Sequence, residues 1–210
     1  HFNELNQVFA ANLIALKYQP GAVELIDSTI LELTKGNLTQ QKNRTFVKGN
    51  PAALLIVEFA RNSREEIETL ARSMEQEMLA AGFGYYFPLI FGSEINKIWN
   101  LRKSGLGVLS NMAGDAKPVS LVEDTAVPVE KMEAYMKDFQ QLIGDYGLDC
   151  VYHAHIGSGE LHLRPVLNLK DPEQVELFRK IGREVALLVK KYRGSLSGEH
   201  GDGRLRGEFI

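Results

Sequence analysis

The chain has 210 residues, 44% of them hydrophobic and 24% charged, with a formal net charge of -3, enough to bury a sizeable core as one large domain or two small ones. Its charges are interspersed without a run of like sign, so neither a nucleic-acid footprint nor a polybasic membrane patch is present, and no apolar stretch approaches the roughly 20 residues of a membrane span. The single cysteine, Cys150, excludes an internal disulfide and suits a reducing compartment.

Residues 1–20 are mixed in pattern and end in Gln19-Pro20, a strand or helix feeding a turn. Val23, Ile26, Ile30 and Leu33 then repeat at helical spacing between Pro20 and Gly36, which predicts an amphipathic helix. Arg44 to Lys48 and Ala52 to Phe59 read as two strands around a Gly49-Asn50-Pro51 turn, the second continuously apolar and so central. Ser63 with Glu66 forms a capping box for a helix with Ile67, Leu70, Met74 and Met78 on one face, ended by Gly82. Tyr85 to Phe91 returns as a strand.

Ser93 opens the next helix, with Ile95, Ile98 and Trp99 inward and Arg102 on the same stripe. An arginine there either meets an anionic partner or snorkels to solvent at the helix end. Gly105 and Gly107 end that helix, and a loop leads to the strand Pro118 to Glu123. Pro128 opens a long helix with Val129, Met132, Met136, Phe139 and Ile143 inward, closed by Gly147. Val151 to Val166 is strand-like and contains Cys150's apolar neighbours, so that thiol reads as a core residue. Asp171-Pro172 starts the last helix, with Val175, Phe178, Val185 and Leu188 inward, up to Gly194.

Strand-helix-strand thus recurs from 52 to 91 and from 118 to 156. The order predicts an α+β fold of two ferredoxin-like halves sharing an antiparallel sheet with helices packed on one face; a doubly wound parallel sheet is the competing topology. No G-x-G-x-x-G lies at a strand-to-helix turn and no P-loop is present, so no flavin or nucleotide is expected to stay with this chain by itself.

Two stretches carry chemistry. In His155-Ile156-Gly157-Ser158-Gly159-Glu160-Leu161-His162, a four-residue loop from Gly157 to Glu160 would pair Ile156 with Leu161 and set His155 opposite His162, Cβ atoms roughly 5 Å apart, a separation that suits two imidazoles on one metal. The plain alternative is two strand histidines beside a turn. In Gly194-Ser195-Leu196-Ser197-Gly198-Glu199-His200-Gly201-Asp202-Gly203, four glycines allow close backbone approach, and adjacent Glu199 and His200 point different ways in extended chain. One can ligate a metal while its neighbour faces a substrate; the alternative is a solvated loop. Two histidines and a carboxylate suit zinc, manganese or ferrous iron with positions left open for substrate.

Together with Trp99-x-x-Arg102-Lys103, these motifs make the whole chain resemble the C-terminal cap, or substrate, domain of FAD-linked oxidases, the glycolate oxidase, D-lactate dehydrogenase and D-2-hydroxyglutarate dehydrogenase relatives of the vanillyl-alcohol oxidase superfamily. The ending Gly198-Glu199-His200-Gly201-Asp202-Gly203-Arg204-Leu205-Arg206 is similar to large bacterial members fused to an iron–sulfur oxidoreductase. The resemblance implies that residues 1–210 are one excised domain, in keeping with a start at His1 without an initiator Met, and that FAD sits mainly in a separate domain of the same polypeptide. It implies a divalent metal on His155, His162 and Glu199, His200 as general base, and Arg102 on the substrate carboxylate. The activity implied is oxidation of a D-2-hydroxyacid of lactate, glycolate or 2-hydroxyglutarate type, His200 taking the hydroxyl proton and the C2 hydride passing to FAD. The setting implied is cytoplasmic, peripheral to the inner membrane where an iron–sulfur acceptor domain serves as partner, with no nucleic acid involved.

One departure bears on the substrate. Where D-2-hydroxyglutarate dehydrogenases carry a lysine two residues before the Asp of an Asp-x-x-x-Pro segment, the segment Asp124 to Pro128 is preceded by Val122. Lys117 or Arg164, which shares a strand face with His162, stands as the replacement. Two other classes fit the ligand set: a non-catalytic ferredoxin-like metal-binding or interaction domain, and a metal-dependent hydrolase that needs no FAD.

Overall fold

A computed structural model describes residues 1–210, apart from the side chain of Leu106. The chain divides into two units, His1–Asn111 and Met112–Ile210, and its class is α+β, helices with antiparallel sheet. Among the described residues no helix is long and apolar enough to cross a membrane.

In the first unit, helix α1 (Gln7–Lys17) precedes strand β1 (Ala22–Asp27), helix α2 (Ser28–Lys35), the single turn α3 (Leu38–Gln41) and strand β2 (Ala53–Glu58). β1 and β2 are antiparallel, from Ala22 opposite Glu58 to Asp27 opposite Ala53. The helix expected from Val23 to Leu33 is therefore a strand followed by a helix. Its apolar spacing straddles the junction, where the Asp27 carboxylate accepts the Ile30 N–H at 3.0 Å and caps α2.

Arg44 to Lys48 is not a strand. It runs through reverse turns such as Val47 N–H to Arg44 C=O at 2.9 Å, and the Arg44 guanidinium donates to Leu31 C=O and Thr34 Oγ1 near the end of α2. A cation at a helix C-terminus satisfies carbonyls that lack intrahelical partners. Helix α4 (Arg64–Ala80) begins as its sequence predicts, Ser63 Oγ accepting from Glu66 N–H at 3.1 Å, with Met74 and Met78 buried. Tyr85 to Phe91 stays irregular: Gly84 takes φ +74°, Pro88 has no N–H to give a ladder, and Tyr85 N–H bonds His1 C=O at 2.9 Å. Helix α5 (Ile95–Lys103) follows a short 3₁₀ turn, and α6 (Gly105–Ser110) begins where the two glycines were expected to end helical structure. Gly105 lies against Ile30, a Cβ there falling 3.4 Å from the Ile30 Cδ1.

The second unit contains β3 (Lys117–Pro118), β4 (Val122–Ala126), α7 (Met132–Asp145), β5 (Cys150–His155), β6 (Glu160–Leu167), α8 (Pro172–Lys191) and the turn α9 (Gly203–Arg206). β6 pairs antiparallel with β5 on one side and with β3 and β4 on the other. Met132, Tyr135, Met136, Phe139 and Ile143 of α7 are buried, as are Ile181, Val185 and Val189 of α8. The inward stripe of α8 is thus displaced from the expected one: Val175 is exposed and Val189 replaces Leu188. Asp171 caps α8, accepting Glu173 N–H at 3.0 Å, with Pro172 at the first helical position.

Candidate functional site

The chemistry gathers on one face of the β5–β6 hairpin. The hairpin is closed by His155 opposite Glu160, with Ile156 to Gly159 as its loop, so the loop begins one residue earlier than expected and each strand residue's partner shifts by two. Gly159 requires its lack of a side chain: φ is +88°, and a Cβ would fall 2.2 Å from Val127 C=O. In this register His153, not His155, stands directly across from His162, their ring centroids 4.8 Å apart. His155 approaches His162 diagonally, edge to face, at 5.0 Å. Because side chains alternate, Glu160, His162 and Arg164 share this face while Leu161 and Leu163 lie on the other, buried.

The loop after α8 brings in the third donor. His155, His162 and Glu199 each offer an atom within 4.8 Å of the others. Glu199 Oε1 lies 3.5 Å from His155 Nε2 and 3.7 Å from His162 Nε2. Donors sharing one ion at about 2.1 Å in tetrahedral geometry sit roughly 3.4 Å apart, so the two imidazole–carboxylate spacings suit a common ion. The donor set also has the support that a metal site needs. The His162 ring places Nδ1 against the Glu123 C=O, which sets its tautomer with the proton on Nδ1 and leaves the Nε2 lone pair facing Glu199. His200 stacks on His162, ring centroids 5.4 Å apart and planes 11° apart, with its Nε2 3.1 Å from Glu199 Oε1.

Strand β4 supplies the second layer through an irregularity. Its register with β6 shifts between Val122 and Thr125, a bulge that takes in Glu123 and Asp124. Bulges re-aim side chains, and here both carboxylates are used. Glu123 bonds the Arg164 guanidinium through Oε2 and has Oε1 3.7 Å from His200 Nδ1. Asp124 is fully buried and receives Ser197 Oγ at 2.6 Å, Glu199 N–H at 2.9 Å, His200 N–H at 3.0 Å and Arg206 Nη2 at 3.3 Å. Burial alone raises the Asp124 carboxyl, but the donors from Ser197, Glu199, His200 and Glu160 outweigh it and hold it down at about 2. Glu160 goes the other way, pushed up to about 7 by burial, by giving its proton to Asp124 and by the Glu199 charge. Gly198 lies over that carboxyl, where a Cβ would come within 3.1 Å of Glu160 Cδ.

Arg164 is buried on β6, which pushes its guanidinium below the ordinary arginine value, and its Nε has no hydrogen-bond partner among the described residues. Lys117 lies opposite Leu167, five residues or ~16 Å along β6 from His162, and its ammonium donates to Met112 C=O. Arg102 belongs to the first unit, where its anionic partner is Glu24: Nη2 lies 2.9 Å and Nε 3.0 Å from Glu24 Oε2. Trp99 Nε1 beside it donates to Glu58 at 2.8 Å. Cys150 is half-buried at the start of β5. Sequence reasoning missed Glu123, Asp124, His153, Glu160 and Arg206. Asp124 had a signal, the Asp-x-x-x-Pro segment, but a Glu-Asp pair at a strand end reads equally as a solvated terminus.

Over residues 1–210 the chain matches the family model described as FAD linked oxidases, C-terminal domain, and it belongs to that family. It is 32% identical over 204 residues to a D-2-hydroxyglutarate dehydrogenase of Pseudomonas putida, covering 93% of this chain and 20% of that protein. A D-2-hydroxyglutarate dehydrogenase of Haemophilus influenzae is 37% identical over 193 residues, 87% of this chain and 19% of the relative. The glycolate oxidase subunit GlcD of Bacillus subtilis is 20% identical over 200 residues, covering 95% of this chain and 40% of that subunit. In fold the chain is similar to the 4-ethylphenol oxidase of Gulosibacter chungangensis, with a TM-score of 0.61 at 15% identity over 95% of this chain and 44% of that one. The chain thus spans about a fifth of the length of the two D-2-hydroxyglutarate dehydrogenases.

Proposed function

We propose that this chain is the substrate- and metal-binding part of an FAD-dependent dehydrogenase that oxidises a D-2-hydroxyacid to the 2-oxoacid, with D-2-hydroxyglutarate the first candidate. The observation that carries the reading is the convergence of His155, His162 and Glu199 with His200 3.1 Å from Glu199. The names of the relatives at 32% and 37% identity support the choice of hydroxyacid.

His155, His162 and Glu199 would hold the divalent ion, zinc, manganese or ferrous iron, which when bound supplies Lewis acidity to the 2-hydroxyl. FAD is assigned to another part of the polypeptide, in keeping with the match of this chain to the C-terminal domain of FAD linked oxidases, and would supply the hydride acceptor. His200 accepts the hydroxyl proton. Glu123 Oε1, 3.7 Å from His200 Nδ1, sets a negative charge beside the imidazolium that results. Arg164, on the strand face of His162 and held by Glu123, is the proposed partner of a substrate carboxylate, which a planar guanidinium binds bidentately. Arg102 and Lys117, which bond Glu24 and Met112 C=O within this chain, are proposed with it as further substrate-binding residues. The length of the bacterial relatives leaves room for an iron–sulfur electron acceptor beside the FAD domain.

The test is anaerobic mixing of the full-length protein with D- and L-2-hydroxyglutarate, D-lactate and glycolate while following oxidised-flavin absorbance. D-2-hydroxyglutarate should bleach the flavin fastest, the L-isomer should not, and chelator treatment should slow the reaction. Bleaching by none of these acids would refute the reading.

A further inference from the structure

We infer that Asp124 is the positioning residue of this centre: a carboxylate outside the ligand set that fixes where Glu199 and His200 stand. The inference rests on the reading of His155, His162 and Glu199 as metal ligands and goes beyond it, because Asp124 touches neither ion nor substrate in that reading.

The argument starts from the loop. Residues 195–202 have no regular secondary structure beyond one bridge, Ser195 with Ala126, and they contain Gly198 and Gly201, which carry no side-chain packing of their own. Glu199 and His200 are about two-fifths exposed, and apart from the His200 stack on His162 packing contributes little to holding them. Such a segment samples many conformations unless its backbone is tied down. The ties converge on one residue. Glu199 N–H and His200 N–H bond the two carboxylate oxygens of Asp124, Gly198 N–H bonds its backbone carbonyl at 2.7 Å, and Ser197 Oγ bonds Oδ2. On the far side Arg206, also buried, reaches both Asp124 and Gly201 C=O, so the loop is clamped at its beginning and its end.

Asp124 is itself immobile because it sits in the β4 bulge, fully buried. Charge-assisted bonds to backbone N–H groups are about twice as strong as neutral ones. Two successive amides held this way fix the direction in which the Glu199 and His200 side chains leave the backbone. An aspartate does this where asparagine cannot: the amide offers one acceptor oxygen and turns an NH₂ toward a backbone donor.

The experiment uses the full-length protein as wild type, Asp124→Asn and Ser197→Ala. Zinc affinity is measured by competition with a chromogenic chelator, and amide hydrogen exchange is followed over 195–206 and over the β5–β6 hairpin. Asp124→Asn should weaken zinc binding about 10–100-fold, the range for second-layer partners of metal ligands, and speed exchange in 195–206 while leaving the hairpin unchanged. Ser197→Ala, which keeps the carboxylate, should show a smaller loss of the same kind. A folded Asp124→Asn protein with wild-type zinc affinity and loop exchange overturns the inference. Wild type that binds no zinc refutes the metal reading instead, and loop exchange alone then decides the role of Asp124. If Asp124→Asn does not fold, unchanged affinity and exchange in Ser197→Ala overturn it.

Discussion

Glu123 hydrogen-bonds His162 Nδ1 through its backbone carbonyl and sets its carboxylate 3.7 Å from His200 Nδ1, so one residue of the β4 bulge lies beside two of the three imidazoles gathered around Glu199. The carboxylate also holds Arg164. Glu123→Gln should therefore lower kcat by removing the negative charge beside the base, and it should also disturb substrate affinity through Arg164. Steady-state kinetics of the full-length enzyme checks both effects; a change in KM alone would detach Glu123 from His200.

His200→Ala should reduce kcat by about 10²–10⁴-fold, the usual contribution of a general base, with little change in melting temperature because the side chain is exposed. Kinetics beside a thermal melt separates this from a loss of fold. Normal turnover in that variant would remove His200 from the mechanism.

Arg164→Ala should raise KM for the hydroxyacid, and Arg164→Lys should recover little, since an ammonium does not reproduce a planar fork. The comparison is informative because Arg164 is also a structural partner of Glu123. A purely structural arginine would lower the melting temperature in both variants and leave KM as it is.

Arg102 too has a structural partner, Glu24. Both are nearly buried, so Arg102→Met alone leaves the Glu24 carboxylate without its cation, and breaking a buried pair costs about 3–5 kcal/mol. Glu24→Leu together with Arg102→Met should return most of that stability. Thermal melts of the full-length protein read the effect, and a single variant as stable as wild type would show that the pair contributes nothing.

Much of this was legible in the residues, and the failures have local causes. The Ser63 and Asp171 caps and the inward Met132, Met136, Phe139 and Ile143 of α7 follow from side-chain chemistry at fixed offsets and appear where expected, while Val129 falls in a 3₁₀ turn ahead of that helix. The β1–α2 junction did not, because Val23, Ile26, Ile30 and Leu33 keep a helical spacing by coincidence across a strand that ends at its own cap, Asp27. The grouping of His155, His162 and Glu199 was legible from the motifs, but the register of the hairpin was not. Turn geometry decides between His153 and His155 as the direct partner of His162, and two glycines in the loop permit either. Asp124 was hidden for a different reason: a bulge leaves no periodic signature, and hydrogen bonds spanning more than 70 residues of sequence have none at all.

The most direct test of the central claim is X-ray absorption at the metal edge of the full-length protein, compared with His162→Ala and Glu199→Gln. The account predicts about one divalent ion per protein molecule, with two imidazole nitrogens at about 2.0–2.1 Å and the rest oxygen, and loss of that ion in both variants. A stoichiometric ion retained unchanged in His162→Ala, or a fully active wild-type enzyme without any ion, would contradict it.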